Sequence, residues 1–182
     1  MTSADPSISP PSSGNVLPFD HPLHLASHQF LVEEAYALDR RDFDAWLAMM
    51  APDIVYRVPV TSTLGAAAHK EGEMDHFSED LYSLRMRVAR LQTNFAWSEN
   101  PASRTRHFIT NVCSYATPNA EEARVLSSFL VFRTQGDFQG PDLIAGMRED
   151  VLRRTPAGTR LARRVVSLDE SVLRTKNLSI FL

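Results

Sequence analysis

At 182 residues, with 43% hydrophobic and 23% charged side chains, the chain fits one ordinary globular domain whose core needs no disulfide or metal staple. Its single cysteine excludes an internal disulfide and any cysteine-built iron–sulfur or structural zinc site within the chain. The formal charge of −3 is uneven: residues 1–100 hold 7 basic and 14 acidic side chains, residues 101–182 hold 12 and 8, a net +4. That imbalance is too small, and too poor in interleaved aromatics, to point to nucleic acid, but it suits an acidic protein surface. No run approaches the length of a membrane span, and the N-terminus lacks the basic-then-apolar pattern of a secretion signal, so a cytoplasmic location is expected.

Residues 1–20 are rich in Ser and Pro and are expected to form a disordered arm, with one domain over 21–182. Pro22 suits a first helical turn, with Asp20 as a candidate cap. From Leu23 to about Arg40, Phe30, Leu31, Ala35 and Leu38 share a helical face, while Glu33 and Glu34 fall largely elsewhere. Asp42 caps a short second helix carrying Phe43, Trp46, Leu47 and Met50. Ile54, Tyr56, Val58 and Val60 then alternate as a strand, which Pro59 marks as an edge strand. Residues 62–78 read as a loop. A third helix from about Glu79 to Leu91 shows Leu81, Leu84, Val88 and Leu91 as its apolar stripe, with Arg85, Arg87 and Arg90 mostly turned away.

The stretch 100–112 then starts as an Asn-Pro turn and continues as a strand through Phe108, Ile109 and Val112. Three further strands are predicted at about 124–134, 142–154 and 160–169. They are separated by Gly136-Asp137 with Gly140-Pro141, and by Pro156-Ala157-Gly158. Short connections imply an antiparallel meander, and helices followed by strands imply an α+β fold with the helices on one face of a curled sheet.

Four constellations invite chemistry. His24 and His28 stand one helical turn apart near His21, but a mononuclear metal site also needs a carboxylate, and Glu33 and Glu34 lie more than a turn beyond; a solvated or interface-facing helix start is the simpler reading. Cys113 and His107 share a strand face, but six residues of strand hold them roughly 20 Å apart, which leaves Cys113 as a buried filler. Asp53, Tyr56, Asp80 and His107 would make an acid–base site if the fold gathered them, while each also has a structural role as cap, core aromatic or strand-edge polar group. Arg148, Glu149, Asp150, Arg153 and Arg154 face Arg160, Arg163 and Arg164 across a turn, either as a solvated ladder or as a surface that recognises another protein. No Gly-rich phosphate loop or nucleophile elbow is present.

The run Trp97-Ser98-Glu99-Asn100-Pro101-Ala102-Ser103-Arg104-Thr105-Arg106-His107-Phe108-Ile109-Thr110-Asn111-Val112 resembles the central signature of the small (β) subunit of bacterial Rieske-type aromatic-ring-hydroxylating dioxygenases. Phe30-Leu31-Val32-Glu33-Glu34-Ala35, Trp46-Leu47, Arg87-Val88-Ala89-Arg90-Leu91, Arg148-Glu149-Asp150 and the run Asn177 to Leu182 agree in order, so the resemblance spans about residue 23 to 182. It implies a cone-shaped α+β roll of the nuclear-transport-factor and ketosteroid-isomerase kind, assembled with a large α subunit, typically three α and three β chains. It also implies that the Rieske [2Fe–2S] cluster and mononuclear Fe(II) sit in the α subunit. The complex would add O2 to an arene to give a cis-dihydrodiol, with electrons from NAD(P)H through a reductase. No catalytic residue, cofactor ligand or metal ligand carries over to this chain, and neither nucleic acid nor membrane is implied as a partner. Candidate subunit-boundary residues are Arg104, Arg106, His107, Arg148 and the apolar tail Ile180, Phe181 and Leu182, which is expected to pack on its own sheet or on a neighbour. Rival readings are a stand-alone dehydratase or isomerase on the same cone, which needs an open pocket, and a plain binding domain.

Overall fold

The computed structural model describes residues 15–60, 75–92, 101–136, 140–170 and 180–182. Helix α1 (Pro22–Asp39) opens with proline in its first turn, and His21, not Asp20, is the cap: its Nδ1 accepts from the Leu23 amide at 3.2 Å. His24, Ser27, Leu31, Glu34 and Leu38 recur every three or four residues and are all buried, as is Phe30. Burying each large apolar member of that stripe stabilises the domain by about 1.5–3 kcal/mol. The helix stops where Arg41 enters the left-handed region at φ 59°. Asp42 then caps α2 (Phe43–Ala48) by accepting from the Ala45 amide.

Strands β1 (Met50–Pro59) and β2 (Asp75–Glu79) are antiparallel, α3 (Leu81–Leu91) follows behind a capping box of Asp80 and Ser83, and the long strands β3 (Arg104–Ala116), β4 (Glu122–Thr134), β5 (Asp142–Thr155) and β6 (Gly158–Leu168) complete one sheet. Its order is β2-β1-β6-β5-β4-β3, with the expected antiparallel meander from β3 to β6 and a parallel β1–β6 pair. The β5–β6 turn needs Gly158 at φ 106°, a conformation costly for any side chain. Helix α1 packs on β3 and β4 from inside the curl.

The structure corrects further sequence readings. Residues 75–79, the end of the expected loop, form β2 and cover β1, so β1 is not the sheet edge; Pro59 is accommodated at a register shift opposite Asp75. The pairing of β3 with β4 shifts by one between Thr110 and Cys113, with Asn111 at φ 54°. That bulge reverses the alternation, so His107 and Ser114 face the helices while Cys113 does not share their face. Glu34, placed off the apolar stripe, is fully buried. Of the expected arm, Val16 bridges Tyr115 and the Leu17 amide donates to the Ser114 carbonyl at 2.8 Å, while residues 1–14 lie outside the described residues, as do Trp97–Asn100 of the signature run.

Candidate functional site

In a curled sheet wrapped on helices, the space between the layers is where a pocket would form. Here it is filled. Glu34 reaches in from α1, Trp46 from α2, Tyr56 from β1, Arg148 and Asp150 from β5 and Arg164 from β6, all 1% exposed or less. Alternation explains the convergence. Asp150 lies opposite Arg164 in the β5–β6 ladder, Arg148 is two residues before Asp150 on the same face, and α1 turns its Leu31–Glu34–Leu38 side towards them.

Arg164 is the hub. Its guanidinium holds Glu34 through two bonds of 2.7 and 2.8 Å and Asp150 through two of 2.8 and 2.7 Å. Trp46 Nε1 donates to Glu34 at 3.1 Å, and Arg148 Nη1 reaches it at 3.5 Å. Two carboxylates and two guanidiniums balance in charge, which offsets the cost of burying them. Burial pushes the Glu34 carboxyl up, but the charges of Arg164 and Arg148, with hydrogen bonds from Arg164 and Trp46, outweigh it and hold the group below its ordinary value. Burial likewise works against the charge on Arg164, and Asp150 and Glu34 overcome it and hold its pKa well above the usual arginine range. Arg148 is less well served: burial and the like charge of Arg164 lower its pKa, and its Nε and Nη2 have no acceptor among the described residues. Its guanidinium instead lies 5.1 Å from the Phe129 ring centroid.

The tail closes the space. Ile180, Phe181 and Leu182 are all buried in the chain's own core. The Phe181 ring lies 4.2 Å from Trp46 and 5.8 Å from Phe43, with the Arg87 guanidinium 4.8 Å over it. Arg87 therefore turns inward, against the sequence expectation. The Tyr56 hydroxyl donates to the Leu182 carbonyl and accepts from the Leu182 amide at 3.0 Å. Burial pushes the Tyr56 phenol up, so it remains a neutral hydrogen-bonding group.

A second polar knot ties the open edge of β3 to α1. Asp39, the last residue of α1, accepts from the His107 amide at 3.1 and 3.2 Å, from Thr105 Oγ1 at 3.2 Å and from His107 Nδ1 at 2.6 Å. His107 Nε2 faces the Phe181 carbonyl at 3.2 Å. Both ring nitrogens thus face acceptors, and the imidazole joins helix, strand edge and tail. Beside it is a cavity of only about 20 Å³, lined by Leu38, Phe43, Leu91 and Thr105 among others, too small for an organic substrate.

The acid–base set suggested by the sequence is not assembled. Asp53 is exposed and paired with Arg153, Tyr56 is bonded to Leu182, Asp80 caps α3 and His107 is bonded to Asp39. His21 caps α1, and His24 Nδ1 lies 2.9 Å from Ser114 Oγ. Of the candidate boundary residues, His107, Arg148, Ile180, Phe181 and Leu182 lie inside this chain, whereas Arg104 and Arg106 are exposed, Arg106 being 3.7 Å from Asp39. Sequence reasoning missed Glu34 and Arg164 as an inward pair. The signal that could have found them is the glutamate in register with Leu31 and Leu38 on α1.

A family model described as the ring hydroxylating beta subunit matches residues 33–175. The chain belongs to that family. Among ring-hydroxylating beta subunits it is 38% identical over 171 residues to biphenyl 2,3-dioxygenase subunit beta of Rhodococcus jostii (strain RHA1), covering 90% of this chain and 91% of the relative. It is also 38% identical over 160 residues to chlorobenzene dioxygenase subunit beta of Cupriavidus sp. (strain PS12), covering 84% and 85%. A solved structure of naphthalene 1,2-dioxygenase with indole bound in its active site superposes with a TM-score of 0.78 at 27% identity, covering 88% of this chain and 86% of that one. The cone-shaped α+β roll read from the sequence is thereby shown. A Rieske cluster takes two cysteines and two histidines; this beta subunit has one cysteine, and no three His, Cys, Asp or Glu side chains gather as metal ligands among the described residues. The residues of this chain do not fit that group. No helix among the described residues is long and apolar enough to cross a membrane.

Proposed function

We propose that this chain is the structural beta subunit of an aromatic-ring-hydroxylating dioxygenase, in which an alpha subunit adds both atoms of O2 to an arene to give a cis-dihydrodiol. In this reading the alpha subunit holds the Rieske [2Fe–2S] cluster and the mononuclear Fe(II), electrons come from NAD(P)H through a reductase, and three alpha and three beta chains make a cytoplasmic complex. The observation that carries it is the filled interior in a chain of this family. The place where a cone-fold enzyme would hold its substrate is occupied by Glu34, Arg164, Trp46 and the tail. What remains for the chain to contribute is shape and surface. Arg104 and Arg106, exposed at the start of β3, are the residues offered to an acidic group of a neighbouring subunit, since arginine holds a carboxylate through two parallel bonds.

Purification with and without a candidate alpha chain tests this, with iron analysis and mass determination on both samples. The expected result is a hetero-oligomer that contains iron and oxidises an arene, and a beta chain that alone is colourless and inactive. Stoichiometric iron retained by the lone chain after chelation, or failure to associate with any alpha chain of this family, would contradict it.

A further inference from the structure

One guanidinium of the interior is only partly served by its neighbours. Arg148 gives Nη1 to Glu34 at 3.5 Å, the long limit of a hydrogen bond. The edge of the same group that carries Nε and Nη2 has no partner among the described residues, and the side chain is fully buried. That edge is a fork suited to holding an anion. Ser127 is in the same position: it is 1% exposed, and its Oγ has no partner among the described residues.

The sheet puts these groups side by side. Ser127 on β4 is the ladder partner of Arg148 on β5, and the alternation of burial along both strands turns both inward. The Arg148 guanidinium lies 5.1 Å from the ring centroid of Phe129, two residues along β4 from Ser127 on the same face. It therefore leans to β4 rather than to Val166, its partner on β6. The Phe129 ring is itself seated over Gly146, where a Cβ would come within 3.1 Å of two of its atoms, so the wall beside Arg148 is fixed.

Formal balance in the cluster hides an uneven split of charge. Arg164 holds Glu34 and Asp150 through four bonds of 2.7 to 2.8 Å, which leaves Arg148 one long contact. The surroundings of the Nε–Nη2 edge are therefore positive, and burial with the charge of Arg164 lowers the pKa of Arg148. A water at that edge would accept from Nε and Nη2 and donate to Ser127, but it would leave the charge unmet. A spherical anion accepts from both nitrogens and from the serine hydroxyl at once, and it meets the charge. Ser127, Arg148, Glu34 and Trp46 are all 1% exposed or less, an enclosure that suits a single small ion and not an organic molecule.

We propose that Ser127 and the Nε–Nη2 edge of Arg148 form a buried binding site for one monatomic anion the size of chloride. The ion is a structural acceptor beside Glu34 and Asp150, and it ties β4 to β5 from inside the cone. The site draws on this chain alone and stands independently of the subunit reading.

Thermal unfolding of the full chain at fixed ionic strength, with chloride exchanged for gluconate, tests it. A ligand held only by the folded chain stabilises it in proportion to the logarithm of its concentration. Tm is expected to rise about 3–5 °C for each tenfold rise in chloride above the dissociation constant, and not to rise with gluconate. Ser127→Ala, which removes one donor and keeps the charge, is expected to weaken chloride about tenfold. Arg148→Met is expected to abolish the response, and Arg153→Met on the exposed hairpin to keep it. Crystals grown in bromide are expected to show an anomalous peak in contact with Arg148 Nε and Nη2 and Ser127 Oγ. Equal melting in chloride and gluconate, a chloride response that survives Arg148→Met, or bromide crystals with no anomalous peak at that edge would overturn it. Should Arg148→Met fail to fold, Ser127→Ala and the bromide map decide the matter.

Discussion

Two regions of this chain are built from the same pair of groups, guanidinium and carboxylate, and they do different things. At the far end of the β5 hairpin, Arg153 meets Asp53 and Glu122, and Arg154 meets Glu121, with side chains partly or half exposed to water. Inside the cone, Arg164 meets Glu34 and Asp150 with both partners fully buried. Water already solvates the outer pairs, so their bonds replace other bonds of similar worth. The inner ones are shut off from bulk solvent, so each member depends on the others and removing one leaves a bare charge in the core. The difference shows why an arginine-rich hairpin cannot be given one role: alternation along β5 and β6 sends Arg148, Asp150 and Arg164 inward, and Glu149 and Arg163 outward.

The largest break in that comparison is expected from Arg164→Met, which strands Glu34 and Asp150 together and should cost about 3–5 kcal/mol in urea unfolding. Acid is the milder way to reach the same cluster. The folded-state pKa of Glu34 is depressed, so its contribution is fully present above the unfolded value and is lost as pH falls through the folded one. Stability should therefore begin to fall below about pH 4.3, the ordinary glutamate value, and keep falling until Glu34 protonates; a Glu34→Gln chain followed by the same unfolding curves should lose much of that slope. Arg148→Met should cost less than Arg164→Met, under about 2 kcal/mol, because Glu34 keeps both bonds to Arg164 and its bond to Trp46. Smallest of all, Arg153→Ala on the exposed hairpin should change stability by less than about 1 kcal/mol, and less still at high salt.

Much of the fold was legible because it rests on local signals. The capping residues Asp42 and Asp80, the stripe Leu84–Val88 of α3 and the turn at Pro156-Ala157-Gly158 each act within a few residues of themselves. The short β2 was hidden because five residues beside an uninformative loop carry little alternation, and its place is set by pairing with β1. The bulge at Asn111 was hidden for a similar reason, since nothing in the strand's own composition marks where register slips. The interior was least legible. Glu34 is separated from Arg164 by 130 positions, and a glutamate on a helix reads as solvated until the fold supplies two arginines to neutralise it. The run around His107 divides by face: its histidine turns inward to Asp39 and Phe181, while Arg104 and Arg106 are exposed.

Whether the interior of this beta subunit is structure or a site of reaction is decided by the turnover of the assembled complex. Complexes of the alpha subunit with wild-type and with Glu34→Gln beta chain would be isolated at their assembled mass and compared for arene oxidation per alpha-subunit iron. If Glu34 only holds the interior together, the yield of complex falls but turnover per assembled complex stays within about twofold. If the carboxylate moves a proton in the reaction, an assembled complex of normal size and iron content would lose about 100-fold or more in turnover, and a purely structural interior would be contradicted.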